Sequence, residues 1–344
     1  MILFRALVFL SFAVVFPAFG QRPPIPAGQI VGSETCRDCH EEMVEQWEKT
    51  AHATSLEKML SSDKAIEIAA AVDIQPAEIP MKASCVRCHF TQEDLAGTAQ
   101  TTMAVSCESC HGGAIDWIEE HNRKHVSRQS RVDASVALGM SHPESILSIS
   151  KSCFECHVVD DEQLVNHAGH PAVSDGFEIL SWYSGEVKHN FLVGGSASSV
   201  KTHVSDPQPI PQERKRMLYL NGKLVHLAYL LQSLARATDA PVDRNGEFIR
   251  LPNGDFTYAV QLARAIKRVE CDLEDALHFV AVPEYDEALA LIRSIRLETG
   301  KEAELREASA TVFRLAELFC EKRTGSQFTA IDPLLAKLDL READ

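Results

Sequence analysis

Met217, Leu220, Leu224, Leu227, Leu231 and Leu234 recur at every third or fourth position, the apolar stripe of an amphipathic helix. The same periodicity predicts a second helix over Asp255 to Ala281, ending before Pro283. A third is predicted over Pro283 to Leu297, with Gly300 as a C-cap. A fourth covers Lys301 to Arg323, and Asp332-Pro333 opens a short last one. Helices joined this closely predict a bundle over residues 205–344. The Pro-rich stretch Ser205 to Pro211 sets it off from what precedes, because helices do not cross such a run. Upstream the helical pattern is thinner. Val44, Trp47, Ala51 and Leu56 predict one helix that carries His52. At the N-terminus, Ala6 to Phe16 is apolar apart from Ser11 and too short to span a bilayer. Arg5 precedes it and the small-x-small site Ala18-Phe19-Gly20 follows, so residues 1–20 read as a secretory signal peptide and 21–30 as a linker. The expected location is therefore the periplasm, where thiols oxidise unless they are used.

Composition narrows the classes. The chain has 344 residues, 45% hydrophobic and 24% charged, which excludes a disordered chain, a collagen-like fibre and a polytopic membrane protein. The net charge of −15 argues against nucleic acid as a partner, since that needs a basic face. The anomaly is the presence of 10 cysteines.

Eight of them form four motifs of one form: Cys36-Arg37-Asp38-Cys39-His40, Cys85-Val86-Arg87-Cys88-His89, Cys107-Glu108-Ser109-Cys110-His111 and Cys153-Phe154-Glu155-Cys156-His157. This is the pattern of c-type haem attachment. Positions i, i+3 and i+4 share one face of a helical turn. Two thiols there can form thioethers with the two vinyl groups of one porphyrin, and the adjacent histidine reaches the iron. Zinc sites also use paired C-x-x-C, but do not require a histidine directly after the second cysteine. With 14 histidines in 344 residues, four such neighbours would arise by chance about three times in a million. The expected cofactors are four covalently attached haem c groups. All four motifs lie within residues 36–157, too short a stretch for each haem to have a private protein core. The expected fold class is all-α: a haem-packed multihaem cytochrome domain over 31–204, then the C-terminal helical bundle.

Each iron has a second axial position, and ten histidines remain to fill these. His52 lies 12 residues beyond the first motif and His121 lies 10 residues beyond the third. On a continuing helix 12 residues rise about 18 Å, so His52 should cap a haem other than its own, and the same holds for His121. The segments Cys36 to His40 with Trp47 and Thr50-Ala51-His52-Ala53, Cys85 to His89, Val105 to Gly112 with His121, and Cys153 to His157 resemble the cytochrome c-554 family. These are tetrahaem carriers that take electrons from hydroxylamine oxidoreductase in ammonia-oxidising bacteria. The resemblance covers residues 31–190. It implies that His52 ligates the third haem and His121 the first. His189, in Glu186-Val187-Lys188-His189, is the nearest match to the fourth haem's distal ligand. It also implies that the second haem has no sixth protein ligand. Against this, the loop Asn166-His167-Ala168-Gly169-His170-Pro171 offers His167 and His170 to the second or fourth haem. The family's Gly-Pro-Gly after the third motif is Gly112-Gly113 here, and His125 and His142 read as solvated.

Close haems make an electron wire, so the expectation is an electron carrier acting between redox protein partners, within reach of a membrane-associated complex, and not an enzyme. The alternative is an oxidoreductase acting on a small nitrogen oxide at an open second haem. In the C-terminal module His226 and His278 read as packing residues, and Cys271 and Cys320 are open between a disulfide and two buried thiols.

Overall fold

The computed structural model describes residues 24–95, 98–174, 176–184 and 210–338. The signal-peptide reading of residues 1–20, His189, and the junction expected at 204–205 lie outside them. Among the described residues no helix is long and apolar enough to cross a membrane.

The first half is a chain of short elements: strand β1 (Ile25–Pro26), helices α1 (Ser33–Trp47), α2 (Ser55–Ser61) and α3 (Asp63–Ala71), a 3-10 turn over Pro76–Met81, and α4 (Ala83–His89). A hairpin of β2 (Phe90–Leu95) and β3 (Thr98–Ala104) follows, with β1 parallel to the outer side of β2. Among the described residues this small sheet departs from the expected all-α architecture. Next come α5 (Cys107–His111), α6 (Ile118–His121), α7 (Arg128–Ala137), α8 (Ile146–His157), α9 (Glu162–Ala168) and α10 (Ile179–Ser184). Side chains set several starts: Ser145 accepts from the Ser148 N–H at 3.2 Å to open α8, and Asp161 accepts from the Leu164 N–H at 3.0 Å to open α9.

The helix predicted through His52 breaks at Trp47. Thr50 explains the break: its hydroxyl donates to the Trp47 carbonyl at 2.7 Å and accepts from the Ala53 N–H at 3.3 Å, offering the backbone a turn in place of a helix.

The second half follows the predicted periodicity closely: α11 (Gln212–Arg236), α12 (Tyr258–Leu277), α13 (Pro283–Ser294), α14 (Glu302–Lys322) and the short α15 (Asp332–Leu335). Helix α11 is buried on nearly every side, because α8, α12 and α14 all pack around it. Its polar groups are matched. The Arg216 guanidinium grips Asp332 with two bonds of 2.6 and 2.7 Å, and Asn221 donates to the Ala316 carbonyl at 2.9 Å. Gly222 lets α10 lie against α11, since a Cβ there would meet Ile179 Cγ2 at 2.5 Å. The buried apolar core runs without a break from Phe154, inside the fourth motif, to Leu335. The C-terminal helices therefore pack directly onto the helix that carries that motif.

Candidate haem-binding site

The four motifs all end at a helix terminus or kink. His89, His111 and His157 are the last residues of α4, α5 and α8, while His40 sits at a kink in α1 with φ −123° and ψ 41°. Each helical turn thus places two thiols and an imidazole together where the chain then turns away. All eight motif cysteines and all four motif histidines line one cavity of about 1600 Å³. That exceeds the roughly 300–1,000 Å³ of a pocket for a single small molecule.

The motifs adjoin in pairs. The Cys36 and Cys107 thiols hydrogen-bond, bringing the first motif against the third, and the Cys88 and Cys156 thiols hydrogen-bond, bringing the second against the fourth. In each pair this bond pushes one thiol down, Cys107 in one and Cys88 in the other, toward the nucleophilic thiolate. Glu108 locks the first pair. Its buried carboxylate accepts from the N–H groups of Val31, Gly32 and Ala114, each at 3.0 Å, so the start of α1 is fastened to α5. Ser55 ties the second motif to the start of the third: it donates to the His89 carbonyl at 2.6 Å and accepts from the Val105 N–H at 3.1 Å.

The histidines come as facing rings. His40 and His121 have centroids 6.1 Å apart, His52 and His157 6.2 Å, and His89 and His170 6.3 Å. Two imidazoles bound to opposite sides of one metal, each through a bond of about 2 Å, have centroids about 6 Å apart. The Nδ1 atoms are already engaged: His111 with the Ser141 carbonyl at 3.0 Å, His121 with the Ile118 carbonyl at 2.6 Å, His157 with the Ser174 hydroxyl at 2.9 Å and His170 with the Pro171 carbonyl at 2.9 Å. An Nδ1–H so bonded fixes the tautomer that leaves Nε2 as the ligand atom. Burial also keeps the imidazoles neutral. It pushes His89 down to about 4 and His157 to about 3, and it lowers His40 and His170 as well. Among the described residues no three donors converge as a directly bound zinc ion would need. Donors in facing pairs beside paired thiols fit haem c. Arg131 lines the same cavity with a buried Nε that has no protein acceptor, a place that a haem propionate would satisfy.

The structure sets His121 across from His40, the two residues that the sequence reading also placed together. It sets His52 across from His157, where the reading had set His52 across from His111 and His189 across from His157. The cause is the turn at Thr50, which redirects His52 from the expected helical path. At the second site, where the resemblance implies an open position and the loop offers His167 or His170, the ring of His170 faces His89 while His167 is exposed. His125, read as solvated, is exposed at the cavity's edge, while His142, read the same way, is half-buried in its wall. His226 stacks on Phe154 at 4.5 Å, a packing contact. Cys320 on α14 is half-buried, Cys271 on α12 is exposed, and no disulfide joins them. The locking carboxylate of Glu108 and the Ser141 and Ser174 acceptors carried no sequence signal, because each acts on residues distant in the chain.

The family model described as cytochrome c554 and c-prime matches residues 35–112, which hold the first three motifs. A curated relative, cytochrome c-554 of Nitrosomonas europaea, is 23% identical over 134 residues, covering 37% of this chain and 57% of that protein. The match thus spans little more than half of the relative's length. No solved structure matches.

Proposed function

We propose that this chain, whose residues 35–112 belong to the cytochrome c554 and c-prime family, is an exported tetrahaem c-type cytochrome that carries electrons between redox protein partners. One observation carries the reading: four C-x-x-C-H turns and three facing histidine pairs line a single cavity. Bound haem would supply one-electron iron chemistry.

The chain's own residues do the rest. Cys36, Cys39, Cys85, Cys88, Cys107, Cys110, Cys153 and Cys156 would anchor the porphyrins, and His40, His89, His111 and His157 would ligate the irons. His52 and His121 would supply further imidazole ligands. The Glu108 and Ser55 locks hold neighbouring motifs at fixed separations, which is what a carrier requires of its scaffold. The strongly acidic chain favours a partner with a basic contact face, and salt would slow their encounter. The small nitrogen oxide alternative was placed at an open second haem, and the ring of His170 opposite His89 speaks against that site. Carriage between redox proteins of nitrogen-compound or respiratory metabolism, in the periplasm, remains the reading that the export signal and the resemblance support.

The test is stoichiometric. Protein matured with the c-type attachment machinery should carry four haems per chain, counted by the absorbance of the alkaline pyridine adduct against protein mass. Mass spectrometry should place them on the four motifs. Two haems or fewer would overturn the tetrahaem reading.

A further inference from the structure

His170 stands in a loop where two histidines compete, and the structure separates them. Helix α9 ends at Ala168, and Gly169 follows in the left-handed conformation with φ 70°. A side chain there would be strained and its Cβ would come within 2.9 Å of Asn253 Nδ2. The turn at Gly169 leaves His167 exposed on the helix and carries His170 into the cavity wall. The His170 N–H donates back to the Leu164 carbonyl at 3.2 Å, and its Nδ1 engages the Pro171 carbonyl at 2.9 Å. The ring is thus turned with Nε2 as its remaining donor atom, 6.3 Å centroid to centroid from His89.

The loop is held from two sides. Toward the fourth motif, the Val159 N–H donates to the Ala172 carbonyl at 2.9 Å, and Val158 pairs with Val173. Toward the C-terminal helices, the Tyr258 N–H donates to Asn166 Oδ1 at 2.8 Å and the Ala172 N–H donates to Gln261 Oε1 at 3.1 Å. The Tyr258 hydroxyl donates to the Val159 carbonyl at 2.8 Å. Asn166 and Ala172 bracket His170 in sequence, and both are gripped by the first turn of α12. The matched family segment ends at residue 112, well before this loop and before α12.

We propose that His170 is the sixth ligand of the haem held by Cys85, Cys88 and His89, and that α12 serves as the clamp that keeps it there. The proposal rests on the tetrahaem reading. The spacing of this pair equals that of the other two facing pairs to within 0.2 Å, although an unrelated element delivers it. The C-terminal helices thereby gain a task beyond packing: they close a position at which a small molecule would otherwise reach iron. Asn166 and Gln261 are positioning residues, acting through the loop.

The test uses the haem-loaded full chain. Its haem count is taken first, then the electron paramagnetic resonance spectrum of the oxidised form and carbon monoxide difference spectra of the reduced form. The wild type should carry no high-spin ferric signal from the second haem and should bind no carbon monoxide there. His170→Ala should turn one iron in four high-spin and open it to carbon monoxide, and added imidazole should restore the low-spin form. His167→Ala should change neither spectrum. Gln261→Ala keeps the ligand but loosens the clamp, and should give a partial high-spin population without loss of haem. It also preserves the test if the His170 variant fails to mature. A four-haem wild type with a high-spin second haem that binds carbon monoxide overturns the His170 assignment alone. A chain that takes up no haem overturns the reading beneath it.

Discussion

From Gln212 to Leu335 the chain closes around leucine; from Ser33 to His121 it closes around cysteine and histidine. Leu218, Leu220, Leu224, Leu227, Leu230 and Leu231 of α11 are fully buried, in one core that reaches back to Phe154. The comparable apolar cluster of the first half is Ala69, Ile74, Ile79, Cys85, Val86 and Phe90, small for so many elements. What the first half encloses instead is the wall of a 1600 Å³ cavity. The difference teaches how two kinds of scaffold are stabilised. The C-terminal helices bury enough apolar surface against one another to hold themselves together. The motif-bearing half supplies locks such as Glu108 and Ser55, and on the proposed reading bound porphyrin would fill the apolar volume between them.

The largest effect expected from this contrast is loss of the first half without haem. Replacing all eight motif cysteines by serine should leave residues 31–150 open to rapid hydrogen exchange while α11, α12 and α14 keep their protection. Equal protection of both halves in that variant would break the comparison. Second in size, Leu227→Ala should cost about 3–5 kcal/mol in the unfolding of the C-terminal helices, read from the denaturant midpoint of their exchange. A cost under about 1 kcal/mol would show that the helices are less tightly packed than their burial implies.

The junction between the halves offers a sharper probe. Asp160 follows the fourth motif and is 10% exposed; it bonds Arg87 of the second motif and, at 2.7 Å, Arg236 at the end of α11. Asp160→Asn should destabilise the loaded protein by about 3 kcal/mol, because it leaves two enclosed cations without their counter-charge. A midpoint unchanged in urea would mean that this ion pair does not help to join the halves.

The smallest effect concerns acidity. Burial holds His226 down to about 3, below its ordinary 6.5. Between those values the unfolded chain binds a proton that the folded chain refuses, so stability should fall as pH drops from 6.5 toward 3, by at most about 1.4 kcal/mol per pH unit. His226 as a residue is half-buried, so about 1 kcal/mol is expected between pH 7 and pH 5. His226→Phe, which preserves the stack on Phe154, should flatten that part of the pH dependence. An unchanged slope would place the acid-sensitive group elsewhere.

The sequence by itself determined the four attachment motifs, because thioether chemistry needs its residues at i, i+3 and i+4 of one chain segment. It determined the C-terminal helices nearly to their ends, because a buried helix face must repeat every three or four positions. It also marked Asn166 to Pro171 as a loop that carries two histidines. Only the tertiary structure decided which imidazoles face each other. His52 was legible as a distal candidate, but its partner depends on the turn at Thr50, where a hydroxyl and a helical hydrogen bond compete within a small energy margin. His170 and His167 are chemically the same residue three positions apart, and it is Asn166 and Gln261, one in the loop and one on α12, that fix which of them enters the cavity. The Glu108 lock is likewise invisible in one dimension, since its donors at Val31 and Gly32 lie 77 and 76 residues away. Attachment is a local property of the chain. Axial pairing is set by contacts between segments far apart in sequence, and their energies depend on the folded geometry that brings them together.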